Sequence, residues 1–341
     1  MEGYLSKPLP FLKPVESILS LTPEDQCLQE GRDSVLIPPR TLEEACFLTS
    51  HVISQSVHAG TYLLDHLLRN PPGNSSHLAP LMLYRHALEL GDSVAKLLRF
   101  GSSSTASILI RSLFETSLGL EFILEKNTFH EDRASCYQAF RQIERYKDFT
   151  RYDPGTPEGK ELHRILDADK KLEDTAFPRK DLSRERQLID EILNSTRFKP
   201  FWDKFKSAKN KPRHWYSLCS SAPDIRILAR LIGRESEYVL LYKMLSENAH
   251  AADVLSGVVS VSKEKMLKVH MLRGPVEKIK ETTSLAANYL VSCHTLLLET
   301  YLKHHDIQKW FTRWYVEDYR EGFMWAVSPS PLFSESPPRE E

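Results

Sequence analysis

Apolar residues recur with a helical period along most of the chain from Thr41 onward. Short polar or Pro/Gly-rich connections separate the periodic stretches. Residues 257–272 instead alternate in places, which favours one short β-hairpin near 258–272. The pattern predicts an all-α multi-helix bundle, with helices over about 41–68, 77–100, 106–123, 131–151, 158–172, 223–232, 234–251, 275–301 and 307–319.

The stretch Ala106–Ile123 is apolar almost all the way round, which is typical of a helix buried in the middle of a bundle. Two charged residues interrupt it, because Arg111 and Glu115 lie one turn apart on the same face. They can form a buried ion pair that determines how helices pack, since an unpaired buried charge is costly. Alternatively, the guanidinium lines an internal cleft and is ready for a phosphate or a carboxylate.

A second polar stripe lies within the sequence YKMLSENAH. Tyr242, Ser246 and His250 follow one another at steps of four, which places them on one face of a helix. Histidine can act as a general acid or base near neutral pH. The alternative is a hydrogen-bonded histidine near a helix C-terminus, where its charge suits the helix dipole.

The ends of the chain differ from its middle. Residues 1–40 are rich in proline and predict an extended N-terminal arm. Residues 41–325 are predicted to form a single helical-bundle domain. The segment 326–341 is rich in Ser, Pro and Glu, which predicts a disordered tail.

Residues 173–221 form the least regular part of the predicted domain. Within them, residues 197–216 interleave aromatic and basic side chains. Such a stretch can bind single-stranded nucleic acid, because bases stack on aromatic rings while lysines contact phosphates. It can also be a surface loop whose aromatic residues anchor it to the core. RNA is therefore a candidate partner, and the aromatic helix Ile307–Tyr319 is a candidate surface for a homodimer or protein partner.

Charge and composition restrict the partners and the cellular compartment that the sequence predicts. The net charge of -1 provides no overall field toward nucleic acid or an anionic membrane. The five cysteines are scattered without a CxxC pair, which argues against a disulfide framework or a zinc ribbon. No signal peptide and no membrane span is predicted, so we expect a cytoplasmic protein with no membrane partner.

Metal and cofactor sites are not predicted either. His304 and His305 are adjacent and Asp306 follows them, but the sequence has no HxxxH or HExxH pattern. Glycine-rich phosphate loops of the GxxxxGK and GxGxxG types are absent. We therefore expect neither a metal nor a cofactor.

Several motifs resemble a bacterial family of domains of unknown function, family 5677. They are RSLFETSLGLEFIL at residues 111–124, Arg133 with Tyr137, Trp215, and ARLIGRESEYVLLYKMLSENAH ending at His250. The resemblance covers roughly residues 45–300 and implies an all-helical fold without a settled activity. The pattern is also similar to the HEPN helical bundles, many of which cut RNA in toxin or antiviral systems.

The HEPN resemblance has one clear departure. Those nucleases use an arginine followed four to six residues later by histidine, and no arginine here has a histidine at that spacing. Ser246 and Asn248 precede His250 instead. HEPN-type chemistry therefore requires that Arg111 replace the missing arginine in space.

Two hypotheses for function follow. In the first, Arg111, Glu115, Tyr242, Ser246 and His250 form a catalytic site of a HEPN-like ribonuclease or toxin-type effector in stress or phage defence. His250 is then the general acid or base, and Arg111 stabilises the phosphate. In the alternative, the chain is a non-catalytic helical sensing or partner-binding module whose buried polar network is structural. If the two polar stripes do not meet, the catalytic hypothesis fails.

Overall fold

The computed structural model describes residues 41–71, 77–125, 129–168, 181–242, 245, 258–261, 267–269, 273–303 and 305–328. The predicted arm over 1–40 and the tail from residue 329 lie outside these residues. The chain divides into two compact units. Unit 1 comprises Met1–Asn70, Leu88–Leu113 and Asn248–Glu341, and unit 2 comprises Pro71–Ala87 and Phe114–Glu247. The single domain over 41–325 stays a prediction.

The prediction of an all-α multi-helix bundle is confirmed. A short antiparallel hairpin accompanies the helices, at the position where the alternating pattern favoured one, and Val258 pairs with Val269 in it. In chain order the elements are α1 Leu42–Arg69, α2 Leu78–Arg99, α3 Ser103–Leu124, α4 His130–Tyr152, α5 Pro157–Ala168, α6 Ser183–Leu193, α7 Lys199–Ser207, a 3-10 turn Trp215–Leu218, α8 Ile225–Leu231, a helical turn Glu235–Glu237, a π-helical segment Tyr238–Tyr242, β1 Val258–Val261, β2 Leu267–Val269, α9 Val276–Tyr301, α10 Asp306–Trp314, a π-helical segment Tyr315–Tyr319, and α11 Arg320–Val327.

Unit 1 is built on α1. Thr41 begins this helix with a capping box, because its hydroxyl accepts from the Glu44 amide at 3.1 Å and the Glu44 carboxylate accepts from the Thr41 amide at 3.2 Å. The helix packs against α9 and α11. Gly91 lets α2 approach α9 and α1 closely, since a Cβ there would lie 2.9 Å from Leu290 and 3.1 Å from Val57.

A histidine is sealed inside unit 1. His294 on α9 is fully buried, and its Nε2 donates to the Ser56 carbonyl oxygen at 3.0 Å. The edge of its ring meets Phe311, with 5.6 Å between ring centroids. Burial lowers the pKa of His294 to about 3, although the hydrogen bond to Ser56 opposes this. The ring is therefore neutral at pH 7.

Unit 2 contains the second half of α3, which is buried on nearly every side. The helices α6 and α7 and the 3-10 turn pack on α4. Their shared core consists of Cys136, Ile143, Ile189, Leu193, Trp202, Phe205 and Leu218. The segment predicted to be irregular, 173–221, is thus helical in three places. Each helix there is short and strongly charged outside, so its stability comes from packing rather than from a long periodic pattern.

The chain after α8 departs from a plain α-helix. Gly233 follows α8 with a positive φ of 79° and ends the helix. The helix predicted over 234–251 begins as a single turn, Glu235–Glu237, and continues as the π-helical segment Tyr238–Tyr242. Within the described parts of the chain, no helix is both long enough and apolar enough to cross a bilayer.

Candidate functional site

One hydrogen bond joins the two predicted polar stripes inside unit 2. The Tyr242 hydroxyl donates to the Glu115 carboxylate at 2.9 Å. Tyr242 also stacks on Tyr238, with 4.6 Å between ring centroids, and its ring lies 6.3 Å from that of Phe114. The π-helical segment therefore presents two tyrosines toward the start of the buried half of α3.

Arg234 supplies the strongest ionic network in this part of unit 2. Its guanidinium pairs with Glu237 through two hydrogen bonds of 2.8 and 2.6 Å. It also reaches Ser117 and Glu121 on α3, each at 3.1 Å. Only 14% of the Arg234 side chain is exposed, and its Cζ lies 5.3 Å from the centroid of the Phe114 ring. The arginine thus ties the turn after Gly233 to α3.

The charges in this network are partly desolvated. Burial raises the pKa of Glu121, and the charge and hydrogen bond of Arg234 oppose that rise. Burial acts to lower the pKa of Arg234, but Glu237 and Glu121 more than reverse this, and its pKa lies above the ordinary value. Arg234 is therefore a permanent cation held by two carboxylates.

Tyr216 on the 3-10 turn completes the surroundings of Glu115. Only 4% of this residue is exposed, and its hydroxyl has no hydrogen-bond partner within the described parts of the chain. Burial raises its pKa, and the carboxylates of Asp224 and Glu115 and the hydroxyls of Tyr242 and Tyr238 raise it further. We call Glu115, Tyr216, Tyr238 and Tyr242 the tyrosine cluster.

A neighbouring group of motif residues packs around aromatic rings. The Arg133 guanidinium lies over the Phe122 ring, 3.9 Å from its centroid, and pairs with Glu125 at 3.2 Å. The ring of Trp215 lies 5.7 Å from Phe122 and meets Tyr137 edge-on at 5.2 Å. These residues are therefore explained by the packing of α3, α4 and the 3-10 turn.

The five residues predicted as catalytic are only partly brought together. Glu115 and Tyr242 are in direct contact in unit 2. Arg111 is half-buried on the same helix as Glu115, in the part of α3 that belongs to unit 1. Ser246 and His250 lie outside the described residues, so their roles stay predictions.

The aromatic and basic stretch 197–216 is anchored to the core. Trp202 and Phe205 are 5% and 7% exposed, so their faces are covered by protein. Lys206 and Lys211 lie over these two rings, at 5.1 and 5.3 Å from the centroids. These two rings therefore offer no surface on which bases could stack.

Sequence reasoning missed two central members of this site. Arg234 lies within a family motif, but the sequence indicates no role for it, because its partners Ser117 and Glu121 are more than a hundred positions away. The signal that could have identified it is Gly233, whose positive φ redirects the chain immediately before Arg234. Tyr216 lies in the stretch 197–216, for which the sequence favours either a nucleic-acid surface or a surface loop, and nothing in its spacing indicates that its hydroxyl is buried.

No group of three or more His, Cys, Asp or Glu residues in the described ranges is arranged to hold a metal ion. The sequence pattern of the family of unknown function DUF5677 matches residues 77–266, which is more than half of the 341 residues. The resemblance to that family is therefore confirmed. No curated protein and no solved structure matches the chain.

Proposed function

Because the chain belongs to DUF5677, a family of unknown function, its activity has to be inferred from its own residues, and we propose that it is a sensing module. In this proposal unit 2 binds an organic cation, an ammonium or guanidinium group, at the tyrosine cluster. The observation that carries the proposal is the buried Tyr216 hydroxyl without a partner in the described part of unit 2. A buried hydroxyl is almost always hydrogen-bonded, so this one is suited to a ligand.

The carboxylates near the Tyr216 hydroxyl favour a positive ligand, and the neighbouring charge of Arg234 is already paired with Glu121 and Glu237. The charged groups that act on the Tyr216 hydroxyl are the carboxylates of Asp224 and Glu115. A carboxylate can accept several hydrogen bonds, so Glu115 can bind a cation while it holds Tyr242. Tyrosine rings attract cations over their faces. A phosphate would be repelled by the same two carboxylates.

The neighbouring ionic network fits a structural role. Arg234 already binds Glu237, Glu121 and Ser117, so its donors are occupied by the protein itself. An arginine held in this way fixes the position of the π-helical segment that follows it. The network therefore supports a non-catalytic module in which the buried polar residues position the tyrosines.

The first test compares two tyrosines that differ in their partners. Tyr216→Phe is expected to leave the free energy of unfolding unchanged or raise it by up to about 1 kcal/mol, because a buried hydroxyl without a partner is removed. Tyr242→Phe is expected to lower it by about 1 kcal/mol, because the bond to Glu115 is lost. Both values are measured by urea denaturation without ligand.

Binding is tested with butylammonium and butylguanidinium as probes and with butyrate as the anionic control, all at equal ionic strength. The two cations are expected to raise the denaturation midpoint of the wild type, because they bind only the folded state. Tyr216→Phe and Glu115→Gln are expected to weaken that rise. Equal effects of cations and butyrate, or an undiminished rise in both variants, would overturn the proposal.

A second candidate is a HEPN-like ribonuclease acting in stress or phage defence. It is favoured by the bond between Tyr242 and Glu115, because the catalytic hypothesis requires the two stripes to meet. In this candidate Glu115 is held by Tyr242 close to the reacting group. The general acid or base role of His250 and the phosphate-binding role of Arg111 remain predictions from the sequence, and the setting rests on analogy.

The ribonuclease candidate predicts that purified wild-type protein degrades RNA and that His250→Ala does not. The loss should reach at least about a hundredfold, the usual contribution of a general acid or base. The comparison uses equal amounts of folded protein and includes Arg111→Ala. RNA degradation that is equal in the wild type and in both variants would exclude this site as its source.

A further inference from the structure

Two cysteines of unit 2 lie together beside an open pocket of about 840 Å³. Cys219, which follows the 3-10 turn, contributes to the pocket wall together with Arg133, Arg197 and Ser135. Cys136 on α4 is fully buried in the core behind it. Both are free thiols. One sulfur is therefore reachable from solvent, and the other is sheltered.

The two thiols contact consecutive carbonyl groups of the same turn. The Cys136 thiol donates to the Trp215 carbonyl oxygen at 3.2 Å, and the Cys219 sulfur lies 3.7 Å from the Tyr216 carbonyl oxygen. Cys219 also packs against the core cluster that contains Cys136. Their sulfurs are thus neighbours in the folded protein, although 82 residues lie between them along the chain.

The surroundings make the two thiols chemically unequal. The neighbouring Cys136 thiol lowers the pKa of Cys219 against the effect of burial, and the charges of Arg133 and Lys204 lower it further. Burial raises the pKa of Cys136 above its ordinary value, and the neighbouring Cys219 thiol adds to that rise. A thiolate at a partly exposed, positively charged position is the nucleophilic form of cysteine. Cys219 is therefore the attacking sulfur, and Cys136 is the resolving one.

We propose that Cys219 and Cys136 form a peroxide-reactive dithiol that closes reversibly to an intramolecular disulfide. The Cys219 thiolate attacks one oxygen of hydrogen peroxide, the O–O bond breaks, and hydroxide leaves, so that Cys219 becomes a sulfenic acid. The Cys136 sulfur then attacks the Cys219 sulfur, and the sulfenic oxygen leaves as water after taking up the Cys136 proton. The two sulfurs lose two electrons together, and the peroxide gains them.

The experiment treats the full-length reduced protein with hydrogen peroxide, followed by alkylation in denaturant and peptide mapping. Two of the five thiols are expected to disappear as one cross-linked pair, Cys136 with Cys219, and dithiothreitol should restore both. Cys219 should react about tenfold or more faster than Cys46, a buried thiol whose pKa is raised by burial. Equal rates for Cys219 and Cys46, or no cross-linked peptide, would overturn the proposal.

Two variants separate the roles of the sulfurs. In Cys136→Ser the oxidation should stop at the sulfenic acid of Cys219, which dimedone traps. In Cys219→Ser the Cys136 thiol should stay reduced over the same time, while Cys46→Ser should leave the cross-link unchanged. If either of the first two variants fails to fold, the rates and cross-link of the wild type decide the question. The inference does not depend on the ligand proposed for the tyrosine cluster.

Discussion

Replacing Arg234 with alanine will lower the free energy of unfolding of unit 2 by about 2–3 kcal/mol. Removing one partner of a buried ion pair costs more than the pair contributes, because the remaining charge stays desolvated. Here Glu121 and Glu237 would both lose their cation, and the Phe114 ring would lose the guanidinium that lies over it. Each carboxylate is about one-third exposed, so the loss falls below that of a fully buried network.

Arg230 offers a matched control for this measurement. It forms the same two-point contact with a carboxylate, at 2.7 and 2.6 Å from Glu235, but 53% of its side chain is exposed. Arg230→Ala should therefore change the urea midpoint much less than Arg234→Ala, because water screens an exposed pair. Equal effects of the two substitutions would show that burial of Arg234 does not strengthen its network.

Lowering the pH from 7 to 5 will destabilise unit 1 through His294 by about 2 kcal/mol. The pKa of the buried ring is about 3, whereas the unfolded value is about 6.5. As the pH falls below 6.5, the unfolded chain binds the proton first, so folding is disfavoured. This contribution to stability is complete above the unfolded pKa and is lost progressively as the pH falls toward 3.

The measurement compares wild type with His294→Gln at pH 7, 6 and 5 by urea denaturation. A glutamine side chain can still donate to the Ser56 carbonyl oxygen but does not titrate in this range. The variant should be less stable at pH 7 and should show a shallower fall toward pH 5. His58→Gln, an exposed position on α1, controls for the added amide. Parallel pH profiles of wild type and His294→Gln would contradict the assignment.

The helices were predictable where each has a long apolar stripe and clear ends. Thr41 with Glu44 shows why, since their side chains begin α1 with a capping box. The helices α6 and α7 were missed because they have eleven and nine residues and are stabilised by a shared core. Residues such as Trp202 and Ile189 belong to that core through contacts distant in sequence.

Of the candidate site, only the residues on the two polar stripes could be predicted from the sequence. The contact between Glu115 and Tyr242 follows from two stripes that each need a partner. The steps of four from Tyr242 to Ser246 and His250 run into residues that the structure does not describe, so this stripe stays a prediction beyond Tyr242. Arg234 and Tyr216 required tertiary structure, because their role depends on burial, and burial at a turn has no periodic signal.

Each of the two units is built from segments that are not contiguous in sequence, and this limits how the protein can be divided into fragments. Unit 2 consists of two separate segments, and unit 1 of three. No single cut or single recombination event can therefore transfer one unit intact. A gene fragment spanning residues 77–266, the range shared with the family, would keep Gly91 but remove Val57 and Leu290, against which α2 closes. A fragment limited to the family region would therefore leave the face of α2 around Gly91 without these packing partners.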